Sequence, residues 1–283
     1  MSTPHFKVET AMPRALSLRE RLVAYLRLIR FDRPIGSFLL MWPALWALWL
    51  AGDGQPPWSV VVIFLVGVFL MRSAGCAIND YADRAVDGHV KRTNARPLAQ
   101  GLIRPAEALG VFIAFGLAAF ALVLLLNWQT ILMSVVALVL ATIYPFMKRF
   151  THWPQAFLGA AFGWAVPMAF TAIQGAVPVW GWVLFAATLV WVLIYDTLYA
   201  MVDREDDLKI GIKSTAILFG NRDRLIIGVL QVTMLGMLVL VGLAADRGGW
   251  FFGGLAVAAG FALYQQWIIR DRNPGKCFVA FLN

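Results

Sequence analysis

The chain has 283 residues, 60% of them hydrophobic and only 14% charged, with a mean hydropathy of +0.73. A soluble domain is roughly half apolar and about a quarter charged, so these values exclude an ordinary soluble globule and predict an all-α polytopic membrane protein. The net charge of +8 is explained below by membrane topology, so no nucleic-acid partner is expected.

In chain order, the stretch "LRERLVAYLRLIRFDRP", residues 18–34, is amphipathic and basic and closes the segment 1–33. This segment, 1–33, is expected on the cytoplasmic side, lying along the membrane interface before the chain enters the bilayer at Pro34. It lacks the short apolar core and small-residue cleavage site of a signal peptide, and Glu9 and Glu20 weigh against an organelle transit peptide. A spanning helix requires about 20 mostly apolar residues. Eight candidates follow: 34–51, 59–79, 106–126, 130–146, 155–173, 180–200, 224–244 and 250–269. The second and sixth run on into polar sequence with helical spacing. The final stretch, "GKCFVAFLN", reads as the start of a ninth helix that then stops. No separate soluble domain is visible. Cys76 and Cys277 lie in or beside apolar sequence and read as packing residues, while His5, His89 and His152 lack metal-ligand spacing.

With the N-terminus inside, the inner segments are 1–33, 80–105, 147–154, 201–223 and 270–276. Every Lys and Arg lies in them or at a helix end that meets them, except Arg72 inside the second helix and Arg247 in an outer loop. This bias predicts a cytoplasmic N-terminus, with a bacterial inner membrane as the default setting. Topology and contact with anionic lipid explain most of these bases.

The second helix ends in "NDYADRAVDGHVKR". Asn79, Asp83 and Asp87 are spaced four and four, so on a continued helix they share one face over about two turns. Like charges at this spacing repel, and more strongly near lipid. A multivalent cation offsets that repulsion, and hard oxygen ligands suit Mg²⁺. A solvated helix end is the plainer explanation for one such cluster. A second cluster shifts the balance. The sixth helix ends in "YDTLYAMVDREDDLKIGIKST", placing Asp196, Asp203 and Asp207 on one face with Tyr199 beside them. Both clusters close even-numbered helices and precede basic loops. That pattern suggests two parallel four-helix repeats, about 34–154 and 155–276, within a transmembrane domain 34–283. Carboxylates holding Mg²⁺, ringed by Lys91, Arg92, Arg96, Lys148, Arg149, Lys209 and Lys213, suit a diphosphate with a lipid tail.

"NDYADRAVD" and "DTLYAMVDREDD" resemble the paired aspartate motifs of the UbiA-type intramembrane aromatic prenyltransferases. The stretches "RFDRPIGSFLLMWPALWALW", "MRSAGCAINDYADR", "DGHVKRTNARPL", "YPFMKRFTHWPQ", "GAAFGWAVPMAF" and "VDREDDLKIGIKSTAILFG" are similar to the family's bacterial branch acting on 4-hydroxybenzoate. The resemblance runs from about residue 22 to the end. It implies a nine-helix bundle with a central cavity, of which this chain holds eight helices and the start of another. It also implies Mg²⁺-dependent transfer of a polyprenyl chain from polyprenyl diphosphate to carbon 3 of 4-hydroxybenzoate, in ubiquinone biosynthesis. Membrane lipid surrounds the tail, and no obligate protein partner is implied.

The expected metal ligands are Asp83, Asp87, Asp203 and Asp207, with Asn79 and Asp196 as ligands or close neighbours. Lys91, Lys148, Arg149 and Lys213 are candidates for the diphosphate, and Tyr144 and Tyr199 for orienting phosphate or phenol. Arg72 lies seven residues before Asn79 on the same face, about 10 Å deeper. A charge at that depth needs a partner, and a benzoate carboxylate suits its guanidinium fork; an ion pair with a facing aspartate is the plainer alternative. Asp80, Glu205 and Asp206 point off the shared faces and are expected to be solvated. Other readings are a prenyltransferase with another aromatic acceptor and a transporter with an intramembrane cation site. Against the transporter, the acids sit at helix ends and the repeat is parallel rather than inverted.

Overall fold

The computed structural model describes residues 17–89 and 93–283, and all regular secondary structure among them is helical. Lys91 and residues 1–16 lie outside this set. Helix α1 (Leu18–Leu28) opens with a capping box. The Glu20 carboxylate accepts from the Ser17 N–H at 2.9 Å, and the Ser17 hydroxyl accepts from the Glu20 N–H. Two otherwise unpaired donors are thereby satisfied. Ala24 and Leu28 of α1 pack with Ala77, Leu98, Ile103 and Ala108.

The bundle proper comprises α2 (Ile35–Ala51), α3 (Trp58–Asp83), α4 (Pro105–Val123), α5 (Trp128–Phe150), α6 (Pro154–Gly163), α7 (Ala165–Gln174), α8 (Val179–Ile210), α9 (Thr215–Phe219), α10 (Asp223–Ala244), α11 (Gly249–Ile268) and α12 (Pro274–Leu282). Among the described residues, seven helical stretches are long and apolar enough to cross a membrane, and α2, at 17 residues, is a shorter apolar helix. They correspond to the eight expected spans, and the protein is a multi-pass membrane protein. Helices α6 and α7 form one span broken at Trp164. Pro167 explains the break: it has no N–H for the carbonyl four residues back, and its ring crowds that position. The "GKCFVAFLN" stretch is helical as α12, which packs on α8.

Helix α8 has 32 residues, about 48 Å of helix, against an apolar slab of about 30 Å. Its last turns therefore project past the hydrocarbon, and they carry Asp203 and Asp207. Helix α3 packs mainly on α4, α2 and α5, whereas α8 packs on α10, α6 and α12. The two acid-bearing helices belong to different walls of the bundle. Between α2, α3, α7 and α8, Leu48, Val61, Phe64, Phe170 and Leu184 form the main apolar core.

One expectation is corrected. Helix α3 does not continue through Asp87: it ends at Asp83, and Asp87 opens a short 3₁₀ turn, Asp87–His89. Continuing the helix would stack Asp83 and Asp87 one turn apart. Instead the Val86 N–H turns back to the Asp83 carbonyl at 2.8 Å, and Asp87 is presented to an arginine from the following loop.

Candidate active site

That arginine is Arg96. Its Nη1 lies 2.8 Å from Asp87, 3.2 Å from Asp80 and 3.8 Å from Asp83. Arg30, just after α1, adds a second cation 2.7 Å from Asp80. Asp80 is fully buried, which corrects the expectation that it is solvated. Its position off the shared face turns it toward α1 and the loop after α3, where two arginines neutralise it. Burial pushes the Asp87 carboxyl above the usual carboxylate range, and the Arg96 guanidinium opposes that rise.

Asp83 holds the centre of this first cluster. Its Oδ2 accepts from Asn79 Nδ2 at 3.3 Å and lies 2.5 Å from Lys148 Nζ. Its Oδ1 is buried and has no hydrogen-bond partner among the described residues. Lys148 comes from the last turn of α5, so α5 and α3 meet through it. Arg149 donates to the Ala82 carbonyl and so satisfies an acceptor left over at the end of α3.

The second cluster lies along α8. Val192 to Tyr195, Thr197, Leu198, Ala200 and Met201 are buried, while Asp196, Tyr199, Asp203 and Asp207 are all partly exposed. Their spacing makes one polar stripe on an otherwise packed helix, as the sequence predicts. Asp206 turns away to Lys209 at 3.1 Å, and Glu205 is exposed. Lys213 ties the two halves of the site together. Its backbone N–H donates to the Lys148 carbonyl at 3.0 Å, and its Nζ to the Phe150 carbonyl at 3.2 Å. The loop after α8 is thereby fixed beside the α5 residue that holds Asp83. Thr215 completes the fastening, its N–H donating to Gln155 at 3.1 Å and its hydroxyl 2.7 Å from that of Thr197.

Deeper along α3, Arg72 reaches toward α2 and α6. Its guanidinium carbon stands 5.8 Å from the Phe162 ring on α6. Tyr144 on α5 and Tyr195 and Tyr199 on α8 belong to its surroundings. Arg72 Nε is buried without a hydrogen-bond partner. Among its described neighbours no carboxylate pairs with it, so the plainer ion-pair explanation does not describe this arginine.

Three members of this inner region escaped the sequence reading. Gly36 on α2 lies directly against the Arg72 guanidinium: a β-carbon there would stand 2.6 Å from Cζ. Phe162 supplies the facing ring. The Tyr195 hydroxyl is buried and has no hydrogen-bond partner. The one available signal was Gly36 itself, a poor helix former in the first turn of an apolar helix.

The oxygen ligands fit a hard divalent cation in kind, since Asp83 offers a buried carboxylate oxygen that has no partner among the described residues, beside the carboxylates of Asp80 and Asp87 that share Arg96 with it. Among the described residues, no three His, Cys, Asp or Glu side chains converge closely enough to hold a metal ion by themselves. Arg96 and Lys148 occupy the first cluster as counter-charges, and the second cluster belongs to a different wall.

Residues 40–283 match the UbiA prenyltransferase family. A 4-hydroxybenzoate octaprenyltransferase from Methylococcus capsulatus is 60% identical over 267 residues, 94% of this chain and 91% of that one. Its counterpart from Nitrosococcus oceani is 59% identical, covering 94% and 93%. Among solved structures, a UbiA homolog from Archaeoglobus fulgidus bound to DMAPP and Mg²⁺ has a TM-score of 0.70 at 25% identity, covering 88% of each chain. An apo UbiA homolog from Aeropyrum pernix has a TM-score of 0.71 at 21% identity, covering 94% of this chain and 96% of that one. The match spans both aspartate clusters, Arg72 and the loops that join them, and the chain belongs to the UbiA prenyltransferase family.

Proposed function

We propose that this protein transfers a polyprenyl chain from polyprenyl diphosphate to carbon 3 of 4-hydroxybenzoate. The observation that carries the reading is Arg72. A guanidinium with a buried Nε, and with no carboxylate paired to it among the described residues, stands over the Phe162 ring, seven residues before Asn79 on the helix that ends at Asp83. That separation is about 10 Å along the helix, which suits an aromatic acid inside and a diphosphate at the mouth. The relatives' names agree with this choice of substrates.

In this reading Asp83, Asp87, Asp203 and Asp207 hold Mg²⁺, with Asn79 and Asp196 as ligands or immediate neighbours. When bound, Mg²⁺ offsets the charge that grows on the departing diphosphate. Lys148, Arg149, Lys213 and Lys91 serve the same anion from the α5 end and the two loops. The bond between prenyl carbon 1 and the diphosphate oxygen breaks, the electron pair leaving with the diphosphate, and carbon 3 of the ring bonds to the prenyl carbon and then gives its proton to the released diphosphate. Arg72 orients the acceptor by its carboxylate. Tyr144 and Tyr199 orient the phenol or phosphate, and the apolar walls exclude water that would otherwise trap the allylic cation. The two acid-bearing halves act as parallel repeats, about 34–154 and 155–276. We place the protein in a bacterial inner membrane with its N-terminus and both clusters on the cytoplasmic side, on the distribution of Lys and Arg.

The test uses membranes containing the protein, 4-hydroxybenzoate, a prenyl diphosphate and Mg²⁺. A prenylated acid should form, and both EDTA and Asp83→Ala should abolish it. Product formed equally well with EDTA, or none with Mg²⁺ present, overturns the assignment.

A further inference from the structure

The site above uses α2, α3, α5, α6 and α8 and leaves the outer faces of α10 and α11 without a role. Between these two helices runs a groove of about 900 Å³. Its walls are apolar: Leu225, Val229, Val232 and Leu263 line it and are 69%, 57%, 73% and 74% exposed. Its end nearest the aspartate-bearing side of the bundle is cationic, with Arg224 and Arg272 in the lining. One turn from Arg224, about 6 Å along α10, Gln266 lines the groove beside Gly228.

The arginines are fixed in a way that leaves charge over. Asp223 is fully buried and accepts from Arg204 at 2.6 Å, so one guanidinium already neutralises it. Arg272 adds a second, with Nε 2.9 Å from Asp223 and Nη2 2.7 Å from the Asn221 carbonyl. It is held at φ 52°, a left-handed conformation that residues other than glycine seldom adopt. Among the described residues Arg224 Nε is buried without a partner, and Nη1 reaches the Arg270 carbonyl at 3.3 Å. Asp271 is taken by Lys276 at 2.8 Å. Surplus positive charge therefore stands at the mouth of a lipid-facing apolar groove.

We propose that this groove binds one anionic phospholipid, its phosphate against Arg224 and Arg272 and an acyl chain along Leu225, Val229, Val232 and Leu263. The charge at one end and the apolar length beyond it match a lipid whose head is anionic at the interface and whose tail enters the hydrocarbon. Gln266 lies at the depth of the ester groups below that phosphate.

The experiment strips the purified protein of lipid in detergent and re-equilibrates it with phosphatidylglycerol or phosphatidylcholine. Native mass spectrometry should show one phosphatidylglycerol retained in preference to phosphatidylcholine. Arg224→Gln should lower that retention about fivefold, the effect of one basic side chain at an anionic surface. Arg19→Gln, which removes a charge from the exposed face of α1, should leave it unchanged. Because Arg224→Gln could also fail to fold, a phosphatidylglycerol with a photoreactive acyl chain is applied to the unaltered protein. Its labels should fall on Leu225, Val229, Val232 or Leu263. Equal retention of the two lipids, unaltered retention by folded Arg224→Gln, labels elsewhere, or a second copy of the chain seated on this face each overturns the proposal.

Discussion

Gly36 in the first turn of α2 and Arg72 of α3 are in contact: a β-carbon on the glycine would stand 2.6 Å from the guanidinium carbon. The absent side chain on α2 is therefore what lets the arginine of α3 lie where it does. Gly36→Ala should push the guanidinium aside by an ångström or so. Displacements of that size cost on the order of 10- to 100-fold in a positioned reaction. The loss should appear as a raised KM for 4-hydroxybenzoate with the KM for prenyl diphosphate unchanged. Steady-state kinetics varying each substrate in turn check this.

Arg72 itself is expected to act through its planar fork. Arg72→Ala should remove most use of 4-hydroxybenzoate, and Arg72→Lys should restore only part of it, because an ammonium cannot bind a carboxylate bidentately. Binding of the prenyl diphosphate, measured by calorimetry in detergent, should be retained in both variants. Equal losses for both substrates would sink the assignment.

Lys148 stands 2.5 Å from Asp83, a residue 65 positions earlier in the chain. Lys148→Ala should raise the KM for prenyl diphosphate about tenfold, as expected for losing one charge-assisted contact worth about 1.5 kcal/mol or more. The KM for 4-hydroxybenzoate should stay put. A lysine serving only membrane topology would leave both constants unaltered.

Asp80 and Asp206 offer a contrast between a buried and a surface carboxylate. Asp80 is fully buried between Arg30 and Arg96, and Asp80→Ala should cost roughly 3–5 kcal/mol because buried cations lose their counter-charge. Asp206 makes a single i,i+3 pair with Lys209, whose side chain is 70% exposed, and Asp206→Ala should cost under about 1 kcal/mol. Thermal unfolding in detergent should show a clear fall for the first and almost none for the second.

Asp223 should behave like Asp80. It is fully buried and joins Arg204 of α8 to Arg272 beyond α11. Asp223→Ala should destabilise the protein by roughly 3–5 kcal/mol. The protein that remains folded should keep its KM values, since no proposed substrate contact passes through this residue.

Hydropathy located the spans because a bilayer demands long apolar helices whatever their neighbours are. Helical spacing likewise placed Asp196, Tyr199, Asp203 and Asp207 on one stripe of α8, since a repeat of 3.6 residues is a local property. Arg72 was legible because a lone charge inside an apolar run is conspicuous in any arrangement. Other features depended on residues far apart in sequence. The end of α3 at Asp83 follows from Arg96 drawing Asp87 out of the helix line, and spacing alone argued for continuation. Asp80 reads as a surface acid until Arg30 is brought 2.7 Å from it across 50 residues. Gly36 is an ordinary glycine until α2 and α3 cross, and Lys148 and Lys213 are two basic residues until their loops are fastened together. Periodicity and hydropathy are set by the chain itself, so the sequence alone determined the helices and the acid-bearing stripe of α8. Pairing of charges and close approach of backbones arise only when helices pack, so only the tertiary structure decided which arginine meets which aspartate and what stands against Arg72.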